Sequence, residues 1–133
     1  MKFLYFFIIV TMSSFSSYAK DISLNCKMTM YGNTTNVNVA KSWVNPTSKF
    51  AVYGNDATYY YSGKSLSGSA KDKGDRLKMY FSRMVSMKSG SSSKMVKANL
   101  VIDYFYKSKK VAADWRFAGY KDLGTVWGTC EED

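Results

Sequence analysis

One segment leaves the chain little choice of fold. From Lys94 to Tyr120, KMVKANLVIDYFYKSKKVAADWRFAGY, apolar and polar residues alternate through two runs separated by Lys107-Ser108-Lys109-Lys110. Period-two alternation on both sides of a polar break is the pattern of a β-hairpin. With those four residues as the loop, Tyr106 faces Val111, Tyr104 faces Ala113, Ile102 faces Trp115 and Leu100 faces Phe117. One face is then apolar on both strands, and a one-residue slip would turn all of it to solvent.

The rest of the chain repeats the theme in shorter pieces. Ile22, Leu24, Cys26, Met28 and Met30 share one parity and define the core face of a first strand. Gly32-Asn33 is turn chemistry, and Val37, Val39 and Trp43 continue the alternation to a break at Asn45-Pro46. Phe50 and Val52 precede Gly54-Asn55-Asp56, a tight hairpin signal, and the next strand carries Tyr59, Tyr60 and Tyr61. Tyr59 and Tyr61 share a face and Tyr60 takes the other. From Ser62 to Asp75 glycine, serine and charge dominate, so this stretch is a flexible loop or a short edge strand over Lys64 to Ser69.

The β pattern resumes from Arg76 to Lys88. With Gly90 to Ser93 as the following loop, Leu77, Met79, Phe81, Val85 and Met87 meet the core face of the next strand. Arg83 interrupts that set, which calls for a bulge or for an arginine reaching out at a rim. A last strand runs over Gly124 to Cys130 and is followed by Glu131-Glu132-Asp133. Turn residues every eight to twelve positions mark an all-β domain. The expected fold is a small antiparallel up-and-down β-barrel or curved β-sandwich of 7–9 strands.

Two cysteines, Cys26 and Cys130, stand near opposite ends of that domain. They lack a CxxC spacing and the chain has no histidine, so a disulfide is expected rather than a metal or redox pair. Such a bond brings the first and last strands together, as in a closed or nearly closed barrel. Ahead of the domain, residues 1–19 combine Lys2, an apolar run from Phe3 to Met12 and the small-residue site Ser17-Tyr18-Ala19. That is the pattern of a secretory signal peptide, too short to span a membrane. Cleavage leaves residues 20–133 as a single β domain, exported to a periplasm or secreted.

The residue inventory narrows the chemistry. Without histidine the usual general base, the usual zinc sites and a Ser-His-Asp triad are absent, and no glycine-rich phosphate loop occurs. No catalytic residues, metal ligands or cofactor are assigned, and a non-enzymatic role is expected. In the hairpin register above, Asp103 lies opposite Asp114 on the outer face with Arg116 diagonal to it. Facing like charges need compensation, and a solvated pair screened by Arg116 is favoured over a cation or acid/base site.

Without Lys2 the domain carries 18 basic and 10 acidic residues, a formal charge of +8. Tyr60, Lys64, Lys71, Lys73, Asp103, Asp114 and Arg116 form the candidate binding surface, tyrosine among charges. Export and the lack of a recognition motif argue against nucleic acid. Outward polar positions (Lys97, Asn99, Asp103, Asp114, Arg116) argue against an integral membrane barrel. In general plan the chain resembles the small periplasmic inhibitor and binding proteins of bacteria, a likeness of architecture that assigns no site. The expected partner is another protein, in an inhibitor or immunity-type role in the envelope or outside the cell. The alternatives are a small apolar ligand inside the barrel and an anionic envelope glycan.

Overall fold

A computed structural model describes residues 21–31, 44–117 and 125–133. The expected signal peptide, the Gly32-Asn33 turn, the alternation over Val37, Val39 and Trp43, and the side chains of Met87 and Phe117 lie outside the described residues. Among the described residues eight strands follow in chain order: β1 (Ile22–Met30), β2 (Thr47–Tyr53), β3 (Asp56–Tyr61), β4 (Lys64–Asp72), β5 (Arg76–Ser89), β6 (Ser92–Phe105), β7 (Lys110–Phe117) and β8 (Thr125–Glu132). Each pairs antiparallel with the next, and β8 returns to β1, so the sheet closes as an up-and-down barrel. Closure leaves no sheet edge along the paired wall.

The turns are chemically apt. Between β3 and β4, Ser62 and Gly63 both have positive φ, 47° and 72°, as a two-residue type I′ hairpin requires. This tight turn makes the Gly/Ser-rich stretch a full wall strand: β4 pairs with β3 from Asp56↔Ser69 to Tyr61↔Lys64 and with β5 from Gly68↔Phe81 to Asp72↔Leu77. Both neighbours supply the apolar surface that β4 itself lacks.

The core is aromatic at its centre. Leu24, Phe50, Tyr59, Leu77, Met79, Leu100, Ile102 and Tyr104 are fully buried. Phe50 stacks on Tyr59 and Tyr59 on Tyr61, both at 4.8 Å between centroids, and Phe81 packs against Phe50 and Tyr59 at 6.1 and 5.9 Å. Tyr59 also carries a polar tip into this core. Its hydroxyl lies 3.0 Å from Ser48 Oγ and accepts from the Asn45 amide at 3.2 Å. Tyr60, on the opposite parity, faces out.

Two hairpins differ from the sequence register by two residues. In β6–β7 the pairs are Tyr104↔Val111, Ile102↔Ala113 and Leu100↔Trp115. In β5–β6 the loop is only Gly90-Ser91, with Ser89 opposite Ser92. An even offset preserves parity, so the inward faces remain as expected while the facing partners change. Arg83 sits in an unbroken ladder opposite Ala98, with no bulge there. It lies on the inward row, its guanidinium 5.6 Å from the Tyr61 ring and 5.4 Å from the Trp115 ring, and it donates to the Tyr61 hydroxyl at 2.9 Å. Two aromatic faces let a cation occupy a core-facing position.

The seam between β1 and β8 is covalent. Cys26 and Cys130 face each other in the ladder, both are buried, and they form the disulfide. Near it, the register shifts between Met28 and Met30, opposite Gly128 and Trp127. A Cβ added at Gly128 would lie 2.2 Å from the Lys27 carbonyl oxygen and 2.9 Å from Met28 Cα. Both obstacles are backbone and cannot swing aside. Gly128→Ala is therefore expected to cost about 2–3 kcal/mol, at the upper end for overpacking, read as a lowered urea midpoint with an unchanged denaturant slope.

Candidate site on the outer wall of β6, β7, β8 and β1

The register shift in β1 has a consequence at the surface. Met30, expected on the core face, is turned outward and is 64% exposed. Its ladder partner is Trp127 of β8, which is 39% exposed although it is among the largest side chains of the chain. Trp127 stacks with Phe105 of β6 at 6.5 Å and 16° between planes. The Arg76 guanidinium lies 5.7 Å from the Phe105 ring. Between β6 and β8, Ala112 pairs with both Asp103 and Trp127 and is small enough to be covered by its neighbours. The result is a continuous strip, Arg76, Phe105, Trp127 and Met30, running around the barrel.

A cleft of about 350 Å³ opens beside the strip, lined by Thr29, Met30, Lys110, Trp127, Gly128 and Thr129. The rim is basic. Lys78 and Arg76 approach Asp103 at 3.8 and 3.9 Å, and Asp103 is only 9% exposed. Aromatic, methionine and arginine side chains at the centre with lysines at the margin is the composition that distinguishes interface centres from ordinary surface.

The expected surface residues divide. Lys71, Lys78 and Asp103 share the lateral row that continues through Ala112 to Trp127. Lys73 lies in the β4–β5 turn, where its amide donates to the Arg76 carbonyl. Tyr60 pairs with Lys49 and Ser65 on another part of the wall, Lys64 opens β4, and Arg116 pairs with Asn99. Asp103 and Asp114 are not opposed: the first faces Lys78 and Ala112, the second faces Val101 and Thr125. Asp114 accepts a 2.6 Å hydrogen bond from Thr125 Oγ1. Each carboxylate has its own partners, and the geometry offers no shared acid/base pair. Among the described residues, no three of the Cys, Asp and Glu side chains gather into a group that could hold a metal ion.

At the end of the barrel near the strip, Tyr104 donates to Glu132 Oε1 at 2.8 Å, and Lys109 Nζ approaches the same oxygen at 3.0 Å. Burial pushes the Tyr104 phenol up, and the hydrogen bond to Glu132 adds to it. Tyr106 is pushed up to about 12, mainly by burial and then by the Asp72 carboxylate. Both phenols stay protonated at neutral pH and close this end of the barrel as neutral groups.

Sequence reasoning passed over Trp127, Phe105 and Met30. Trp127 was available to it: with Cys130 inward, alternation sends Trp127 outward. Met30 was not, because a bulge leaves no reliable trace in apolar periodicity.

Fold and surface together define a disulfide-closed, eight-stranded up-and-down barrel with an aromatic strip on its outer wall. No protein-family model, curated protein or solved structure matched the chain. Among the described residues no helix is long and apolar enough to cross a membrane.

Proposed function

We propose that this is an exported, non-enzymatic protein that binds another protein through the Arg76–Phe105–Trp127–Met30 strip, in an inhibitor or immunity-type role. The observation that carries the reading is the exposed Trp127, stacked on Phe105, whose ring also meets Arg76, and sharing a cleft with Met30 and Lys110. A folded wall has no stability reason to present its tryptophan to water. A partner that covers it gains a large, pre-ordered apolar surface at little entropic cost. The disulfide accords with an oxidising compartment outside the cytoplasm. Filling of the central barrel by stacked rings from Phe50, Tyr59, Tyr61 and Phe81 leaves the interior ligand as the weaker alternative.

Affinity capture from the envelope and culture fluid of the producing organism tests this, with the wild-type protein and Trp127→Ala side by side. One protein is expected to be retained by the wild type at about 0.05 and 0.5 M salt, since an apolar contact outlasts screening. Trp127→Ala should weaken that complex by about 30-fold or more, the effect of losing an interface centre. Equal retention by both proteins would show that the strip is not the binding surface.

A further inference from the structure

The β5–β6 hairpin is longer than the barrel wall that carries it. Both strands have 14 residues, but pairing with β4 ends at Gly68↔Phe81 and pairing with β7 ends at Ala98↔Phe117. Beyond those points the two strands pair only with each other among the described residues, from Ser82↔Asn99 to Ser89↔Ser92. Val96 and Val85 still pack on the core, so the projecting part starts at Ser86↔Met95 and is about 13 Å long at the usual rise per residue.

Its composition is unlike that of the rest of the molecule. Between Arg76 and Ile102 the chain has six basic residues and no acidic one. On one face Met84, at the base of the arm, lies opposite Lys97, and Met95, further out, lies opposite Ser86; Lys94, opposite Met87, is on the other face of the ribbon. Met84 is 56% exposed and Met95 58%, and both Lys94 and Lys97 are exposed. Diagonal placement puts the two methionines side by side with lysine next to them. The acids are elsewhere. Asp21, Asp56, Asp72, Asp75 and the Glu131-Glu132-Asp133 run, seven of the chain's ten acidic residues, belong to the opposite end of the barrel. The registers Ile22↔Val52, Tyr53↔Asp56, Asp72↔Leu77 and Leu24↔Glu132 gather them there.

We infer that this arm docks the protein on an anionic phospholipid bilayer, independently of the aromatic strip. Charge complementarity identifies the surface. A molecule with seven of its ten acids at one end and only bases on the hairpin at the other will approach negative headgroups arm first. The methionines decide between kinds of anion. A polyanion free in solution is satisfied by the lysines alone. A bilayer also takes up unbranched, flexible apolar side chains below its headgroups while neighbouring lysines stay at the phosphate level.

The test is co-sedimentation of the oxidised protein, purified as the cell processes it, with two kinds of vesicle. One is pure phosphatidylcholine and the other equal parts phosphatidylcholine and phosphatidylglycerol. Binding is expected to the mixed vesicles only and to fall steeply as salt rises from about 0.05 to 0.5 M. Lys94→Gln/Lys97→Gln should weaken it by about 25-fold, fivefold for each lysine near the surface. Lys71→Gln/Lys73→Gln, the same charge change on the far side, should weaken it by no more than about twofold. Met84→Ser/Met95→Ser should weaken it several-fold with charge unchanged, and Trp127→Ala should leave it intact. All of these substitutions are at exposed positions and leave the core alone. Equal binding to both vesicles, an equal loss from the two lysine pairs, or no loss from the methionine pair would overturn the inference, the last by assigning the arm to soluble polyanions or acidic proteins.

Discussion

Replacing Cys26 and Cys130 together by alanine is expected to lower the unfolding free energy by about 4.7 kcal/mol, the chain-entropy value for a loop of this length. The two residues are 104 positions apart in sequence and directly opposed in the β1–β8 ladder. Every other pair of neighbouring strands is joined by a connection within the chain, whereas β1 and β8 come from its two ends. Their pairing is the most expensive in loop-closure entropy, and the disulfide removes that cost by keeping the ends together in the unfolded chain. A domain of this size has about 5–15 kcal/mol of stability in all, so the variant should stand near the limit of folding. Urea unfolding of oxidised wild type and of the double variant measures the difference. A loss below about 1 kcal/mol would mean that the seam is held by its ladder and flanking contacts, such as the Asp133 amide to the Ser23 carbonyl and Asn25 to Asp133, and that the unfolded chain keeps its ends close without a bond.

Tyr59→Ala should cost about 3–5 kcal/mol, as for other large aromatic truncations in cores. Tyr59 is fully buried, stacks on both Phe50 and Tyr61 and touches Phe81. Its removal would leave a cavity between β2, β3 and β5 that the closed wall cannot collapse to fill. The conservative Tyr59→Phe separates packing from polarity. It keeps the ring but takes the hydroxyl from Ser48 Oγ and the Asn45 amide, and should cost about 1–2 kcal/mol for leaving these groups short of a partner. Burial raises the Tyr59 pKa, with its hydrogen bonds to Ser48 and Asn45 acting in the opposite direction, so the neutral phenol is the form the fold holds. Similar losses from both variants would place the contribution of Tyr59 in its hydroxyl rather than in the ring stack.

Much of this architecture was legible from residue order, and the failures have a common physical origin. Alternation fixes which side chains point inward. It therefore assigned Leu77, Met79, Phe81, Leu100, Ile102 and Tyr104 to the core, where they lie. It placed Tyr59 and Tyr60 on opposite faces for the same reason. Pair register depends in addition on turn length, and turn length depends on backbone conformations that the polar runs after Phe105 and Ser89 only loosely specify. Lys109, with φ 60°, ends a turn that begins earlier than the polar run. This shifts the hairpin by two residues and separates Asp103 from Asp114. β4 was hidden because a strand with Ser, Gly and Lys at most positions owes its place to the strands on either side. The strip was hidden because Met30 reaches the surface through a bulge rather than through its parity.

The two proposed contacts use different parts of one barrel. The wall strip is apolar, ordered by stacking and suited to a shaped partner. The β5–β6 arm is basic, projects from the wall and is suited to a charged sheet of lipid. The protein-binding reading stands on Trp127, and it is best tested where the protein works. A photo-activated cross-linking amino acid placed at Trp127, and in a second protein at the exposed Ser67 of β4 across the barrel, would be irradiated in living producing cells. One discrete cross-linked protein band is expected from position 127 and none from position 67. No band from position 127, or the same set of bands from both positions, would contradict it.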